Sequence, residues 1–307
     1  MRIHRYGDAS VIRDDDIPRP TPGLGEVLIE VAATSFNPSD TGLRRGLLRS
    51  VFPLDLPHTL GGDVAGRVVE VGENVDSFAV GDPVIGQVDG AAAEYVTAPA
   101  DVLVAAPGAI PLAHAAAIPI AGVTAWQAVF EHARIGAGQR VLVNGAGGGV
   151  GGFAVQLAKH AGAYVVATAS PRSTDKVRRH GADEIVDYTA TPLTDAIDEP
   201  VDAILNLVPL TTRQAGTLLP LIRPGGVVVS VTIPIKAPAG SPVNAVHFVA
   251  RNDTSHLAAL VKLIDAGTVR VDIAATRHLT DLASVHREAE SGRTRGKIIL
   301  VPRRDSR

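Results

Sequence analysis

The stretch Val141-Leu-Val-Asn-Gly-Ala-Gly-Gly-Gly-Val-Gly-Gly-Phe-Ala-Val-Gln-Leu-Ala-Lys159 decides the fold class of this 307-residue chain. It predicts a buried strand that runs into a glycine-rich turn and then directly into an apolar helix. Glycines at such a turn let the backbone approach a pyrophosphate, and the helix N-terminus offers it free N–H groups. A tight turn without a ligand is the competing interpretation. We expect a dinucleotide site, because strand, turn, helix and second strand follow in order.

The glycines of this turn can be aligned in two ways. Gly147, Gly149 and Gly152 match the G-x-G-x-x-G pattern literally, whereas the register set by the helix uses Ala146, Gly148 and Gly151. The residues expected to bind the cofactor here are Gly147, Gly148, Gly149 and Val150.

Strands and helices alternate on the C-terminal side of the turn. Apolar strands are predicted at residues 140–144, 164–168, 184–187, 201–208 and 224–231, and helices at 150–161, 174–180, 213–221 and 255–266. An Ala-rich helical stretch, 113–133, precedes them, and an apolar edge strand is expected around 245–250. This pattern indicates a doubly wound parallel sheet with helices on both faces.

The first hundred residues show a different pattern of short strand-like runs. Short strand-like runs at 26–32, 64–72, 81–86 and 93–97 are separated by Gly and Pro, which favours a β-rich barrel or sandwich. Residues 102–130 carry no Asp, Glu, Lys or Arg, but three prolines would break a membrane-spanning helix. We expect a buried strand, a loop and a core helix there.

Composition excludes several classes of function. The net charge of −3 implies no general attraction to nucleic acid or acidic membranes, so neither is an expected partner. The absence of cysteine rules out disulfides, thiolate nucleophiles and cysteine-ligated zinc. A soluble cytoplasmic protein is the expectation.

The end of the second strand predicts which cofactor is used. An acidic residue at this point would accept a hydrogen bond from the ribose 2′-hydroxyl of NAD. The sequence instead has Ser170 and Arg172, with no carboxylate before Asp175. A hydroxyl and a guanidinium suit a 2′-phosphate, so we expect NADPH. The alternative is that Arg172 is simply a solvated loop cation.

Several ordered motifs now point to a family. They are Asn37-Pro-Ser-Asp-Thr-Gly-Leu-Arg-Arg-Gly46, Gly61-Gly-Asp-Val-Ala-Gly-Arg-Val-Val-Glu-Val-Gly72, Ala116-Ala-Ile-Pro-Ile-Ala-Gly-Val-Thr-Ala-Trp126, Ala146-Gly-Gly-Gly-Val-Gly151, Gly181-Ala-Asp, Asp187-Tyr188 and Gly292-Arg-Thr-Arg-Gly-Lys-Ile-Ile-Leu-Val301. Over nearly its whole length the chain resembles the medium-chain dehydrogenase/reductase superfamily, specifically its zinc-free quinone oxidoreductase branch.

The resemblance implies a groES-like β-rich domain at residues 1–112, a Rossmann NADPH-binding domain at 113–266, a return to the first domain at 267–307, and a homodimer. It places Tyr188 with Ser170 and Arg172 at the adenine ribose phosphate. The residues that it places along the rest of the cofactor, with the nicotinamide wall last, are Thr124, Leu207, Val208, Val231, Thr232, Phe248 and Val249. Taken alone, each of the apolar ones would be read as ordinary core.

Zinc separates this branch from the alcohol dehydrogenases. The positions that match the ligands of a catalytic zinc are Asn37 and Gly61-Gly62-Asp63, which offer neither imidazole nor thiolate. His58, beside Pro57, is interpreted as structural. We therefore expect no metal.

Without a Lewis acid, the accessible chemistry is hydride transfer to an electrophilic acceptor, a quinone or an α,β-unsaturated carbonyl. Family position places Asn37 and Asp40 near the acceptor, as positioning residues with no general acid assigned. A turn built on Asn-Pro with a capping Asp explains them equally well. The alternatives are a nucleotide-binding sensor, a structural or RNA-binding relative with vestigial catalysis, or a tailoring enoyl reductase.

Overall fold

The computed structural model describes residues 1–303. These residues form strands β1 Arg2–Ile3, β2 Ile12–Arg13, β3 Glu26–Phe36, β4 His58–Thr59, β5 Asp63–Val71, β6 Pro83–Gln87, β7 Tyr95–Pro99, β8 Leu103–Ala105, β9 Arg140–Asn144, β10 Tyr164–Ala169, β11 Glu184–Asp187, β12 Val201–Asn206, β13 Ile222–Ser230, β14 Asn244–His247, β15 Ile273–His278 and β16 Lys297–Val301. The α-helices are α1 Pro38–Arg44, α2 Leu112–Ala115, α3 Pro119–Trp126, α4 Gly149–His160, α5 Thr174–Arg179, α6 Leu193–Ala196, α7 Thr212–Gly216, α8 Thr254–Asp265 and α9 Leu282–Glu290. A π-helix spans Gln127–His132, and 3-10 helices span Ala9–Val11, Ala100–Val102, Leu219–Leu221 and Leu279–Asp281.

The chain forms two compact units. Of the described residues, the first comprises 1–120, 252–265 and 271–303, and the second comprises 121–251 and 266–270. Helix α8 belongs to the first unit, whereas the sequence assigned residues up to 266 to the nucleotide domain. The reason is its docking partner: α8 packs on β8, and its last residue, Asp265, accepts a hydrogen bond from Ala109 N–H at 3.0 Å.

The second unit is built on a six-stranded parallel sheet. Its strand order is β11-β10-β9-β12-β13-β14, and every neighbouring pair is parallel. The order reverses between β9 and β12, so the turn after β9 lies at the topological switch point, where ligands bind in such sheets. Strand β12 is buried along its whole length, including its two polar residues, Asp202 and Asn206. The predicted doubly wound fold is confirmed.

The first unit is β-rich, as expected. Its larger sheet has the order β15-β16-β3-β5-β6-β8, with β7 also pairing with β3, and β1, β2 and β4 form a small second sheet. The long strand β3 supplies the centre: β5 pairs with its residues 27–33, β7 with 26–30 and β16 with 34–36. Strand β16, at residues 297–301, thus lies beside β3 in the same sheet.

Two predicted helices are interrupted. The Ala-rich stretch 113–133 is not one helix but α2, α3 and the π-helix, because Pro119 begins a new helix. The helix predicted at 213–221 stops at Gly216 and is followed by a 3-10 turn that contains Pro220. Within residues 1–303, no helix has the length and apolar character to span a membrane.

Candidate functional site

The glycine turn joins β9 to α4 at the carboxyl edge of the parallel sheet. Gly145 has φ of 100°, a conformation that favours glycine, and Gly148 is the N-cap of α4 without any side-chain cap. A Cβ on Gly151 would lie 2.2 Å from Gly145 O and 2.7 Å from Ala146 Cα. Helix α4 and the start of the glycine turn therefore touch at Gly151, which favours the register through Ala146, Gly148 and Gly151 over the literal pattern.

A buried polar network ties together the strand ends around this turn. Asn144 Nδ2 donates to Asn206 Oδ1 at 2.9 Å, so the last residues of β9 and β12 are bonded side by side. Thr168 Oγ1 donates to Asn144 Oδ1 at 3.1 Å and accepts from Gly145 N–H at 2.8 Å. These bonds fix the backbone that enters the turn.

The same network reaches the residues expected beside the cofactor. Asn206 Nδ2 lies 3.1 Å from Val208 O, 3.2 Å from Ser230 Oγ and 3.3 Å from Thr232 Oγ1. Thr232 Oγ1 in turn donates to Val208 O at 2.8 Å. Leu207, Val208, Val231 and Thr232 are all half-buried residues at this edge. Sequence reasoning missed Asn144 and Asn206; the signal was a single amide side chain at the end of each of two apolar strands.

The candidate phosphate-selecting residues follow β10 and β11. Ser170 is buried, with its N–H donating to Ser173 Oγ at 3.2 Å, and Ser173 Oγ lies 2.8 Å from the Cβ position of Gly147. Ser173, which the sequence analysis did not single out, thus joins Gly147 to Ser170. Arg172 is exposed and has no ion-pair or hydrogen-bond partner among the described residues. Tyr188, 57% exposed, follows β11, the neighbour of β10.

The candidate nicotinamide-wall residues lie on two segments. Thr124 is a buried residue of α3. Phe248 follows the edge strand β14, donates its N–H to Ser230 O at 3.3 Å and stacks on His132 with ring centroids 4.1 Å apart. Val249 is 66% exposed. The structure therefore places Phe248 at the carboxyl edge beside the Ser230 end of the polar network.

In the first unit, Asn37 and Asp40 begin helix α1. Strand β3 ends at Phe36, Pro38 starts the helix, and Asp40 Oδ2 accepts a hydrogen bond from Asn37 N–H at 2.9 Å. Asp40 is thus the capping residue that the alternative interpretation described.

The Asn37 side chain belongs to a buried group that we term the Asp63 cluster: Ser35, Asn37, Asp63 and Lys297. Asp63 Oδ2 accepts from Ser35 Oγ and, at 2.8 Å, from Asn37 Nδ2, while its Oδ1 accepts from Ile120 N–H at 2.8 Å. Lys297 Nζ donates to Asn37 Oδ1 at 2.8 Å and lies 3.5 Å from Asp63 Oδ2. Asp63 is 0% exposed and Lys297 4%. The sequence placed Lys297 in a family motif but assigned it no role.

The Asp63 cluster does not fit a catalytic zinc. A lysine ammonium already bonds the oxygens of Asn37 and Asp63 that would face a cation, and the set contains no imidazole or thiolate. His58 lies in β4, with Nε2 3.3 Å from Asp89 Oδ1, which accords with a structural histidine.

Burial raises the pKa of the Asp40 carboxyl to about 7; the nearby Asp63 carboxylate adds to the rise, and the Asn37 N–H and Lys297 oppose it. Because the folded carboxyl holds its proton to higher pH than an unfolded one, its stabilising contribution is complete below about pH 4 and is lost as the pH rises through about 7. We expect Asp40→Asn to remove this loss, so that the free energy of unfolding of the variant rises relative to that of the wild type between about pH 4 and 7. Urea titrations across that range measure it. Asp76→Asn, at an exposed carboxylate, is the control, and parallel wild-type and Asp40→Asn curves would contradict the prediction.

The geometry can now be set beside known proteins. The family model "Alcohol dehydrogenase GroES-like domain" matches residues 23–108, and the model "Zinc-binding dehydrogenase" matches 180–300. The chain is 33% identical, over 98% of both chains, to the chloroplast envelope quinone oxidoreductase homolog of Arabidopsis thaliana.

This chain belongs to the medium-chain dehydrogenase/reductase superfamily, in its quinone oxidoreductase branch.

Solved structures agree with that membership. The quinone oxidoreductase of Escherichia coli complexed with NADPH superimposes with a TM-score of 0.87 at 25% identity, over 98% of this chain and 99% of that one. The CurK enoyl reductase superimposes with a TM-score of 0.89 at 26% identity, over 98% of both chains. As a member of this branch the chain is an oxidoreductase that uses a nicotinamide cofactor and acts on a small molecule.

Proposed function

We propose that the protein transfers hydride from NADPH to a quinone or an α,β-unsaturated carbonyl without a metal ion. The observation that carries the proposal is the glycine turn at the switch point of the sheet. There, Gly148 leaves the N-terminus of α4 without a side-chain cap, so the first N–H groups of the helix are available to a pyrophosphate.

The residues of the second unit would hold the cofactor along this edge. Gly147, Gly148, Gly149 and Val150 would bind the pyrophosphate, and Ser170, Arg172 and Tyr188 the ribose phosphate. The proposed contacts along the rest of the cofactor, with the nicotinamide wall last, are Thr124, Leu207, Val208, Val231, Thr232, Phe248 and Val249. When bound, the reduced nicotinamide supplies a hydride.

The first unit supports the choice of acceptor. Lys297 pairs with Asp63, so the Asp63 cluster offers no open position for a metal cation. A Lewis acid of that kind would be needed to deprotonate an alcohol or to polarise a plain ketone strongly. Conjugated acceptors need less activation. Asn37 and Asp40 are proposed as positioning residues for the acceptor, with Asn37 oriented by Asp63 and Lys297.

An enoyl reductase is the second candidate, favoured by the likeness to CurK enoyl reductase. Oxidation of NADPH in the presence of benzoquinone, an enone and an enoyl thioester separates the two. A sensor or structural relative would bind NADPH without turnover. Absence of both binding and turnover would overturn the proposal.

Gly148→Ala is the matched site variant for that assay. Its Cβ would meet Gly145 O at 3.3 Å, a tight contact that a shift of a few tenths of an ångström relieves, and the backbone is extended, so the fold should tolerate it. The added methyl would stand where the backbone approaches the pyrophosphate. We expect the variant to melt like the wild type and to lose most of its NADPH affinity. Gly216→Ala, whose Cβ meets nothing within 4 Å, is the control.

Arg172→Glu should reverse the choice of cofactor. A charge-assisted contact with the 2′-phosphate contributes on the order of 1.5–3 kcal/mol, or roughly 10- to 150-fold in binding. The variant should bind NADPH more weakly by at least that factor and should keep its affinity for NADH. A carboxylate repels the 2′-phosphate but accepts a hydrogen bond from a 2′-hydroxyl. Ser170→Ala should cost less. Titrations of both cofactors at fixed ionic strength measure this, with Arg213→Glu on α7 as the control for bulk charge.

A homodimer is proposed from the sheet edge. Among the described residues β14 pairs only with β13, and Ala245 on this strand is exposed. Pairing two such edges across a twofold axis would cover both. Light scattering at micromolar protein should report twice the chain mass; a monomer would contradict the proposal. Cytoplasmic location stays a prediction.

A further inference from the structure

The backbone changes its winding where α3 passes into the π-helix Gln127–His132. Ala133 N–H donates to Ala128 O at 3.0 Å, the i to i−5 bond typical of this winding. Directly afterwards, Arg134 has φ of 49°, which residues other than glycine rarely adopt. Such costly backbone features persist only where other contacts hold them, and they concentrate at functional sites.

The winding determines which side chains share a face. In an α-helix with 3.6 residues per turn, side chains five residues apart diverge by about 140°. At the wider π turn of roughly 4.4 residues they diverge by only about 50°. Gln127, Glu131 and His132 can therefore all face one neighbour, the segment 248–251, and the structure shows each of them in contact with it.

Two of these contacts hold Arg251, at the end of the segment. Gln127, 1% exposed, donates from Nε2 to Arg251 O at 2.9 Å and accepts from Arg251 N–H at 3.2 Å. Glu131 binds the Arg251 guanidinium through both oxygens, at 2.7 Å to Nη1 and 2.5 Å to Nη2. A paired carboxamide and a bidentate ion pair fix both the backbone and the side chain of Arg251.

The third contact holds Phe248, at the start of the segment. The His132 ring lies 4.1 Å from the Phe248 ring at an interplanar angle of 36°. Burial lowers the pKa of His132, so the imidazole is neutral at neutral pH and packs as an uncharged ring. Phe248 in turn bonds Ser230 at the carboxyl edge of the sheet, where ligands bind in this fold.

We infer that Gln127, Glu131 and His132 are positioning residues that hold Phe248 against the nicotinamide ring of the bound cofactor. They act through the segment 248–251 and not on the reacting atoms. The inference rests on the proposed function, since it needs a nicotinamide beside Phe248. The inference predicts an effect on rate and not on affinity. A misplaced nicotinamide ring slows hydride transfer, whereas the phosphate contacts keep the affinity for the cofactor.

Glu131→Gln tests the inference, because it keeps the shape of the side chain and removes its charge. Single-turnover oxidation of bound NADPH by benzoquinone should slow by about tenfold or more, with the NADPH dissociation constant changed by less than about threefold. The matched control is Glu184→Gln, which breaks the ion pair with Arg140 (2.7 Å) at the start of β9 in the same unit. The control should keep the wild-type single-turnover rate.

A second readout does not depend on turnover. Trp126, the one tryptophan of the chain, adjoins the π-helix and packs on Phe130 with ring centroids 4.7 Å apart. The fluorescence emission of Trp126, and that of the bound reduced nicotinamide, should change in Glu131→Gln. Both should remain as in the wild type in Glu184→Gln. The charge-exchanged double variant Glu131→Arg/Arg251→Glu should recover part of the hydride-transfer rate.

The possible outcomes distinguish failure of the proposed function from failure of this inference. A wild type that neither binds NADPH nor reduces an acceptor refutes the proposed function, and the inference with it. If the wild type is active and Glu131→Gln keeps both its single-turnover rate and its emission, the inference alone is wrong. A lower melting temperature with an unchanged rate would show a merely structural role and also overturns it.

Discussion

Gly151→Ala should both destabilise the second unit and abolish NADPH binding. The new Cβ would lie 2.2 Å from Gly145 O and 2.7 Å from Ala146 Cα. Both atoms belong to the backbone, so no change of side-chain rotamer can relieve the clash. Helix α4 must therefore shift away from the glycine turn. Overpacking of this kind costs about 1–3 kcal/mol and more where the neighbours are rigid. We expect a loss of at least about 3 kcal/mol in urea denaturation.

Two other glycines are matched controls for that experiment. Gly148→Ala should keep the free energy of unfolding of the wild type, because its Cβ meets only one atom, at 3.3 Å. It should lose only its affinity for the cofactor. Gly216→Ala, in the open last position of α7, should be neutral or stabilising by up to about 1 kcal/mol. If Gly151→Ala unfolds at the same urea concentration as the wild type, the close contact between α4 and the glycine turn at Gly151 is wrong.

Lys297→Met should be the most destabilising single change in the first unit. Asp63, 0% exposed, would lose its buried cationic partner, and Asn37 Oδ1 would lose its donor. Removing one partner of a buried ion pair costs about 3–5 kcal/mol. Urea denaturation and thermal melting measure the effect, and activity should fall with the orientation of Asn37.

The double variant Asp63→Asn/Lys297→Met separates pairing from packing. Because it leaves no buried charge, its cost should be clearly smaller than the sum of the two single changes. Lys159→Met is the matched control: Lys159 pairs with Asp183 at 2.7 Å, but both side chains are about one-third exposed, and such pairs are worth about 1 kcal/mol or less. Equal losses for Lys297→Met and Lys159→Met would contradict the buried ion pair.

Much of the second unit was predictable because its signals are local. The strand, the glycine turn and the helix at 141–159 follow one another, and unbroken apolar strands indicate burial on both faces. The order of these elements determines a parallel sheet and the edge at which a nucleotide site is proposed. Ser170 and Arg172 could be placed at that edge because they directly follow a strand.

Sequence by itself therefore determined the fold class, the family resemblance and the sheet edge at which we propose that the cofactor binds. Tertiary structure alone decided which distant residues complete each site. Lys297 meets Asn37 across 260 positions, and Gln127 meets Arg251 across 124. Helix α8 likewise joined the first unit and not the second. The physical reason is that hydrophobic periodicity reports which face of an element is buried, but not which element covers it. A buried charge such as Asp63 finds its partner only when non-local strands pair, here β16 with β3 and β3 with β5.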